Sequence, residues 1–323
     1  MIRPKPLKKG DKVGVIATSG LAKSERIEPA LKALNDLGLN VVVGSSVYSK
    51  HGYLSGEDRV RADDINYMFK DTSIKGIFVM RGGYGAQRIL DMIDYEAVKN
   101  NPKVFAGYSD VTILHNIFNQ KCNLITFHTP MPASELYKEV DEYTKSYYLK
   151  NIFSNEPLGK LKNPKEENMI TLVGGKANGI LTGGNLSLVV TSLGTPYEID
   201  TKGKILFLED VGEETYKIDR MFMQLKQCNK FKDASGVILG AFTDCNSEKS
   251  KDKLTLEEVI EEIIVPENKP IIANVICGHC MPTMSLPLGS KTFIDADKKE
   301  ILLLEWLVLI KIIKKLWMLH EKS

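Results

Sequence analysis

Three side chains, each at the end of an apolar run, are the ones best placed by type to do chemistry together: Ser109, Glu209 and His279. Residues 103–118, KVFAGYSDVTILHNIF, pass from a strand-like run through Gly107 and Tyr108 to Ser109, then into a helical apolar pattern. A serine on a sharp strand-to-helix turn projects its hydroxyl from the sheet edge, toward free backbone N–H groups and the positive end of a helix dipole. The G-x-S-x-G pattern of a nucleophile elbow is half met, because Val111 stands where the second glycine would be. A plain helix N-cap is the competing role for Ser109.

In the run 205–210, ILFLED, four apolar residues deliver Glu209 and Asp210 to a strand end. A carboxylate placed there costs free energy unless it is paired or solvated. His279 lies in 274–282, NVICGHCMP, on a glycine-containing turn after a strand, a suitable place for a general base. Residues 79–85, VMRGGYG, put three glycines after another strand, so that backbone can approach a ligand with N–H groups pointing inward. Gly82 or Gly83 could supply one oxyanion-hole donor and the Asp110 N–H the other. A dinucleotide loop is the rival, but G-x-G-x-x-G is not completed, and a tight turn is the simplest alternative. Cys277 and Cys280 form a C-x-x-C, yet Cys228 and Cys245 lack the paired spacing of a zinc site, and the context is not that of a thioredoxin unit. Neither metal nor cofactor is expected.

These residues need elements to hold them. Runs at 13–17, 41–43, 74–80, 104–107 and 124–127 predict buried strands, alternating with helical spacing at 25–37, 57–70, 86–93 and 111–118. Such alternation implies a parallel sheet covered on both faces, with the ligand beyond the carboxyl ends of its strands. Ser55 and Asp58 resemble a capping box for the helix at 57–70. A helix at 139–153 precedes 154–168, whose prolines and lysines read as a linker. Strand patterns at 169–173, 205–208, 237–239, 271–275 and 292–294, with helices at 186–192, 216–228 and 256–264, predict a second, less regular α/β domain. The expected division is 1–153, the linker 154–168, 169–305, and a tail 306–323. The stretch 301–319 is apolar but broken by Glu305, Lys311, Lys314 and Lys315, too many charges for a bilayer span. A final strand at 301–304 followed by a packed or adventitious tail is expected, with a basic interfacial helix as the sharper alternative.

Composition narrows the function classes. With 323 residues, two domains are expected. A formal net charge of +2 leaves no global field to recruit nucleic acid or an anionic membrane. Five scattered cysteines are not a disulfide framework, and no signal-like apolar segment opens the chain, which together point to a cytoplasmic protein.

The segments RGGYG, GYSD, LED and GHC, in this order and spacing and with GDKVGVIA, GNLS and LPLG, resemble the serine LD-carboxypeptidase family, which includes the microcin C self-immunity peptidases. The resemblance runs from about Leu7 to Leu304. It implies an N-terminal flavodoxin-like parallel-sheet domain, a C-terminal α/β domain with a mixed sheet, and a site between them. It also implies a triad of Ser109, Glu209 and His279 with an oxyanion hole near Gly82, Gly83 and Asp110. Arg81 is a candidate for the substrate's terminal carboxylate, since a guanidinium fork binds carboxylates bidentately; a structural ion pair is its alternative. The implied activity is removal of terminal D-alanine from cytoplasmic muropeptides in cell-wall recycling, with a homodimer as the expected assembly. Hydrolysis of a peptidyl- or aminoacyl-nucleotide antibiotic is the rival within the enzyme class, and a binding protein with an inert serine is the rival outside it. The immunity branch stacks a nucleobase on aromatic side chains that include a tryptophan, and here Trp306 and Trp317 both fall in the unmatched tail. Tyr137, Tyr143, Tyr147 and Tyr148 could substitute. A peptide is therefore the expected substrate.

Overall fold

The structure, a computed structural model, describes residues 1–246 and 253–304. The tail 306–323, with its two tryptophans, lies outside the described residues, and no helix among those described is long and apolar enough to cross a membrane.

The first sheet is built from β1 (Lys12–Ile16), β2 (Asn40–Val43), β3 (Ile74–Val79), β4 (Val104–Gly107) and β5 (Thr126–His128), joined by α1 (Ser24–Asp36), α2 (Asp58–Lys70), α3 (Tyr95–Asn100) and α4 (Thr112–Cys122). These five strands are parallel in the order 5-4-3-1-2, the flavodoxin-like arrangement. Both faces are covered, and strand alternation shows how. Ile77 and Val79 of β3 enter one core with Phe69, Phe105 and Phe118, while Phe78 and Met80 enter the other with Val13, Val15 and Leu34.

After α5 (Glu142–Phe153) come β6 (Gly159–Lys160), β7 (Ile170–Val173), β8 (Lys176–Asn185), α6 (Leu186–Thr191), β9 (Ile205–Val211), α7 (Thr215–Gln227), α8 (Lys230–Asp233), β10 (Gly236–Thr243), α9 (Leu256–Ile263), β11 (Ile271–Ala273), β12 (Leu286–Leu288), β13 (Lys291–Asp295) and β14 (Glu300–Leu304). All of these strands except β12 form a second sheet, in the order 6-14-13-8-9-10-11-7. Strands 8, 9, 10 and 11 run parallel and the outer ones antiparallel, so the sheet is mixed.

Several details depart from the sequence reading. Strand β12 pairs antiparallel with β5 and extends the first sheet, so chain from the second half closes the sheet that carries Ser109. Its Leu-Pro-Leu sequence suits an edge position, where the missing N–H of proline costs no ladder bond. Within 154–168, β6 pairs with β14. Strand β8 had no sequence signal because its glycines lower strand propensity. Close packing requires them: a Cβ on Gly184 would meet Thr112 Oγ1 at 2.7 Å. The capping box at Ser55 is not formed. Glu57 precedes α2 without a side-chain cap, and the buried Ser55 hydroxyl donates instead to the Gly20 carbonyl at 2.8 Å. The segment at 86–93 forms a 3₁₀ helix, Ala86–Met92, not an α-helix.

Candidate active site

One residue, Tyr108, separates Ser109 from the end of β4. Tyr108 is extended (φ −158°, ψ −167°), and Ser109, with a left-handed φ of 65°, opens a 3₁₀ turn (Ser109–Val111) that leads into α4. For a residue with a Cβ this conformation costs on the order of 1–2 kcal/mol, and such strain is retained where the surroundings dictate it. Ser109 makes no cap: neither the 3₁₀ turn nor α4 has a side-chain cap, which removes the N-cap alternative. Val111, where the elbow pattern has glycine, is fully buried in the core of the first domain.

The glycine loop lies against this turn. A Cβ on Gly82 would sit 2.8 Å from Ser109 Cβ and 2.9 Å from its Oγ, and 3.5 Å from the Asp110 nitrogen. Gly83 (φ 114°) and Gly85 (φ 139°) hold conformations that favour glycine. The side chain of Asp110 is buried and ties three segments together. Its Oδ2 accepts from the Ser19 hydroxyl at 2.6 Å and from the Ala86 N–H at 2.8 Å, and burial raises its pKa. Arg61, fully buried, completes the brace: its guanidinium donates to the carbonyls of Thr18 (2.5 Å), Gly85 (2.8 Å) and Gly56 (3.3 Å) and pairs with Asp58. Sequence reasoning missed Arg61, because a buried arginine inside an amphipathic helix pattern looks like surface.

Strand parity explains the two carboxylates of LED. Leu206 and Leu208 of β9 face the core beneath α6 and α7, whereas Ile205 and Phe207 face the side shared with Met284 and Leu286. Asp210 follows the even set, where its carboxylate accepts from Asn185 Nδ2 (2.9 Å) and from the Ser187 N–H and hydroxyl (2.9 and 2.8 Å). Glu209 follows the odd set and reaches His279. Its Oε2 accepts from His279 Nδ1 at 2.7 Å and from the His279 backbone N–H at 3.1 Å. A carboxylate only accepts, so Nδ1 carries the proton and Nε2 is the basic nitrogen. Gly278 (φ 117°) makes this approach possible, since a Cβ there would collide with Glu209 Oε2 and lie 2.8 Å from its Cβ. Burial opposes protonation of His279, but the hydrogen bond and charge of Glu209, with Asp210 and Glu135, outweigh it, and the net pKa is raised.

Ser109, His279, Gly82, Gly83 and Arg81 line one cavity of about 370 Å³. Tyr108 bridges the two domains there, its ring centroid 4.6 Å from that of His279 and its hydroxyl donating to Glu135 Oε1 at 2.7 Å. Burial raises the pKa of Glu135, which also accepts from the Met131 N–H at 2.8 Å. Arg81 donates to the Leu21 carbonyl at 2.6 Å, and Lys23 and Arg26 join it on the cavity wall. Lys23, Arg26 and Glu135 were not singled out from sequence. The rule that ligands gather beyond strand ends could have found Lys23, in the segment after β1.

Other candidates resolve differently. Tyr143 and Tyr147 pack together (5.0 Å between centroids), and both hydroxyls donate to the Lys162 carbonyl; Tyr148 is buried, and Tyr137 lies under the Arg26 guanidinium. None of the four offers an open ring face in the cavity beside Ser109. Burial pushes the Cys280 thiol up to about 11 and raises Cys277 as well, so both are held as neutral thiols at neutral pH. Among the described residues, no group of three or more His, Cys, Asp or Glu is gathered as a metal centre would need.

A flavodoxin-like sheet presenting a strained serine, joined to a mixed sheet presenting a carboxylate–histidine pair, defines a two-domain serine peptidase. Residues 13–129 match the LD-carboxypeptidase N-terminal domain and residues 178–294 the LD-carboxypeptidase C-terminal domain, and the chain belongs to the LD-carboxypeptidase family. Among its relatives is a probable murein peptide carboxypeptidase of Bacillus subtilis, 41% identical over 299 residues that cover 92% of each chain. A solved MccF-like protein from Bacillus anthracis superposes with a TM-score of 0.84 at 30% identity, covering 94% of this chain and 99% of that one. The microcin C7 self-immunity protein in complex with aspartyl sulfamoyl adenosine gives 0.86 at 26% identity, over 94% and 99%.

Proposed function

We propose that this protein is a serine carboxypeptidase that removes terminal D-alanine from cytoplasmic muropeptides by cutting the L,D-peptide bond, serving cell-wall recycling. The observation that carries the reading is a left-handed Ser109 sharing one cavity with a His279 whose Nδ1 is held by Glu209. In this mechanism Ser109 Oγ attacks the scissile carbonyl while His279 Nε2 takes its proton, and the imidazolium then protonates the departing amine of D-alanine. Glu209 holds the tautomer and stabilises the imidazolium. Backbone N–H groups of Gly82 or Gly83 and of Asp110 receive the oxyanion. Water, deprotonated by His279, cleaves the acyl-enzyme and restores Ser109. Arg81, aided by Lys23 and Arg26, binds the terminal carboxylate, which places the leaving residue on that wall.

The resemblance to the murein peptide carboxypeptidase supports peptide cleavage over nucleotide-conjugate cleavage, as does the packing of Tyr143, Tyr147 and Tyr148. The MccF-like structure and the self-immunity structure support the second reading, because they share the fold closely. Incubation with defined tetrapeptides and with a processed microcin C analogue tests both. Release of D-alanine, with higher kcat/KM for the tetrapeptide, is expected; preference for the nucleotide conjugate overturns the reading. Labelling of Ser109 by an active-site serine probe separates an enzyme from a binding protein.

A further inference from the structure

The glycine loop that lines the cavity leads outward to an exposed aromatic pair that the triad does not use. Residues 51–54 form a tight hairpin, closed by mutual His51–Leu54 hydrogen bonds at 2.9 Å, with Tyr53 near its tip. Leu54 bridges to Gly20, and the Gly20 N–H donates to the Gly82 carbonyl at 3.1 Å, so the hairpin is joined to the loop that abuts Ser109. Tyr84 sits in that loop between the positive-φ glycines 83 and 85. The two rings lie 6.0 Å apart at 52°, with Tyr53 67% and Tyr84 48% exposed. Their positions are braced: Arg61 holds the Gly85 carbonyl, and Arg88, beside the Tyr84 hydroxyl, makes a two-pronged pair with Asp58 at 2.9–3.1 Å. Single exposed aromatics are common, whereas a braced pair tied to the loop that abuts Ser109 is a candidate contact site.

We propose that Tyr53 and Tyr84 form a stacking subsite for the sugar ring of a glycopeptide substrate. The proposal rests on the muropeptide reading above and names the part of the substrate that the triad does not touch. A pyranose presents an apolar C–H face edged by hydroxyls. Tyrosine matches it with an apolar ring face, a polar tip and little side-chain entropy to lose. The reach also fits. In a muramoyl tetrapeptide three residues, one of them γ-linked, and a lactyl ether separate the sugar from the scissile bond, more than about 10 Å of extended chain. Tyr84 is two residues beyond Gly82, at most about 7 Å along the chain, and its side chain extends the span further. The bracing means that little ordering is left for binding to accomplish.

The test compares kcat/KM for a muramoyl tetrapeptide and the same tetrapeptide without sugar. The native protein is expected to favour the sugar-bearing substrate about five- to tenfold, the range of one good aromatic contact. In the Tyr53→Ala, Tyr84→Ala double variant that ratio falls to about one, and the corresponding double phenylalanine variant retains it. A ratio left unchanged by the alanine variant, even with both rates reduced, overturns the proposal. Calorimetry in a Ser109→Ala background reads the subsite without turnover, using N-acetylmuramoyl-L-alanyl-D-isoglutamine and adenosine monophosphate as probes. Loss of muramoyl dipeptide affinity on removing the two rings supports the subsite even if no D-alanine is ever released, an outcome that sinks the proposed activity instead. Loss of adenosine monophosphate affinity alone assigns the rings to a nucleobase and overturns the sugar.

Discussion

The two halves of the site are built by opposite means. Ser109 is presented locally: strand, strained residue and helix follow one another within 104–122, and the conformation is stored in the backbone. His279 and Glu209 are assembled across the sequence, 70 residues apart, and depend on strand parity in β9 and a close approach at Gly278. A local device withstands changes elsewhere, whereas an assembled pair is sensitive to the packing that unites it. Each half also relies on one glycine, Gly82 beside the serine and Gly278 beside the carboxylate.

Ser109→Ala breaks the local half most severely. Peptidase kcat is expected to fall by about 10³-fold or more with the fold intact, as removal of a triad nucleophile does; a variant with kcat near that of the native protein refutes the assignment. Glu209→Gln tests the assembled half and should cost somewhat less, about 10²–10³-fold in kcat, because tautomer control is lost while the nucleophile remains. Unaltered rates would show that Oε2 does no more than fill space.

The glycines sharpen the contrast. Gly82→Ala should lower kcat about 10-fold or more with little change in melting temperature, since its Cβ displaces Ser109 without requiring a positive φ. Gly278→Ala should lower both kcat and Tm, because a left-handed φ and a collision with Glu209 coincide there. Equal thermal shifts in the two variants would erase the distinction. A pH profile reads the assembled half in the native protein. The pKa of His279 is raised, so the base becomes protonated, and activity is lost, on acidification through a value above the ordinary imidazole pKa of about 6.5. An acid limb below that value contradicts the Glu209 contact. The smallest expected effect is that of chelators, with activity unchanged in EDTA; loss restored by zinc would implicate Cys277 and Cys280.

Local pattern made much of the first sheet readable. Apart from the exposed Lys12 and Lys75, the strand runs of β1, β3 and β4 are apolar because both faces are buried, and GYSD shows its turn directly in residue order. Glu209 and His279 were readable as candidate residue types, and the family resemblance paired them, but no short-range signal encodes their 2.7 Å approach from separate segments of the second domain. Strands β8 and β12 were hidden for the same reason, their glycines and proline being answers to tertiary neighbours such as Thr112 and β5.

The amino-acid sequence alone determined the alternating layers, the serine turn and the residue types available for proton transfer, since each follows from hydrophobic period and turn chemistry within a few residues. Tertiary structure decided which of two adjacent carboxylates meets the histidine. It also buried Arg61 and Asp110 as braces, gathered Lys23, Arg26 and Arg81 on one wall, and left Tyr53 and Tyr84 exposed together. Those outcomes depend on strand register and on segments distant in the chain packing against one another, which local propensity does not carry.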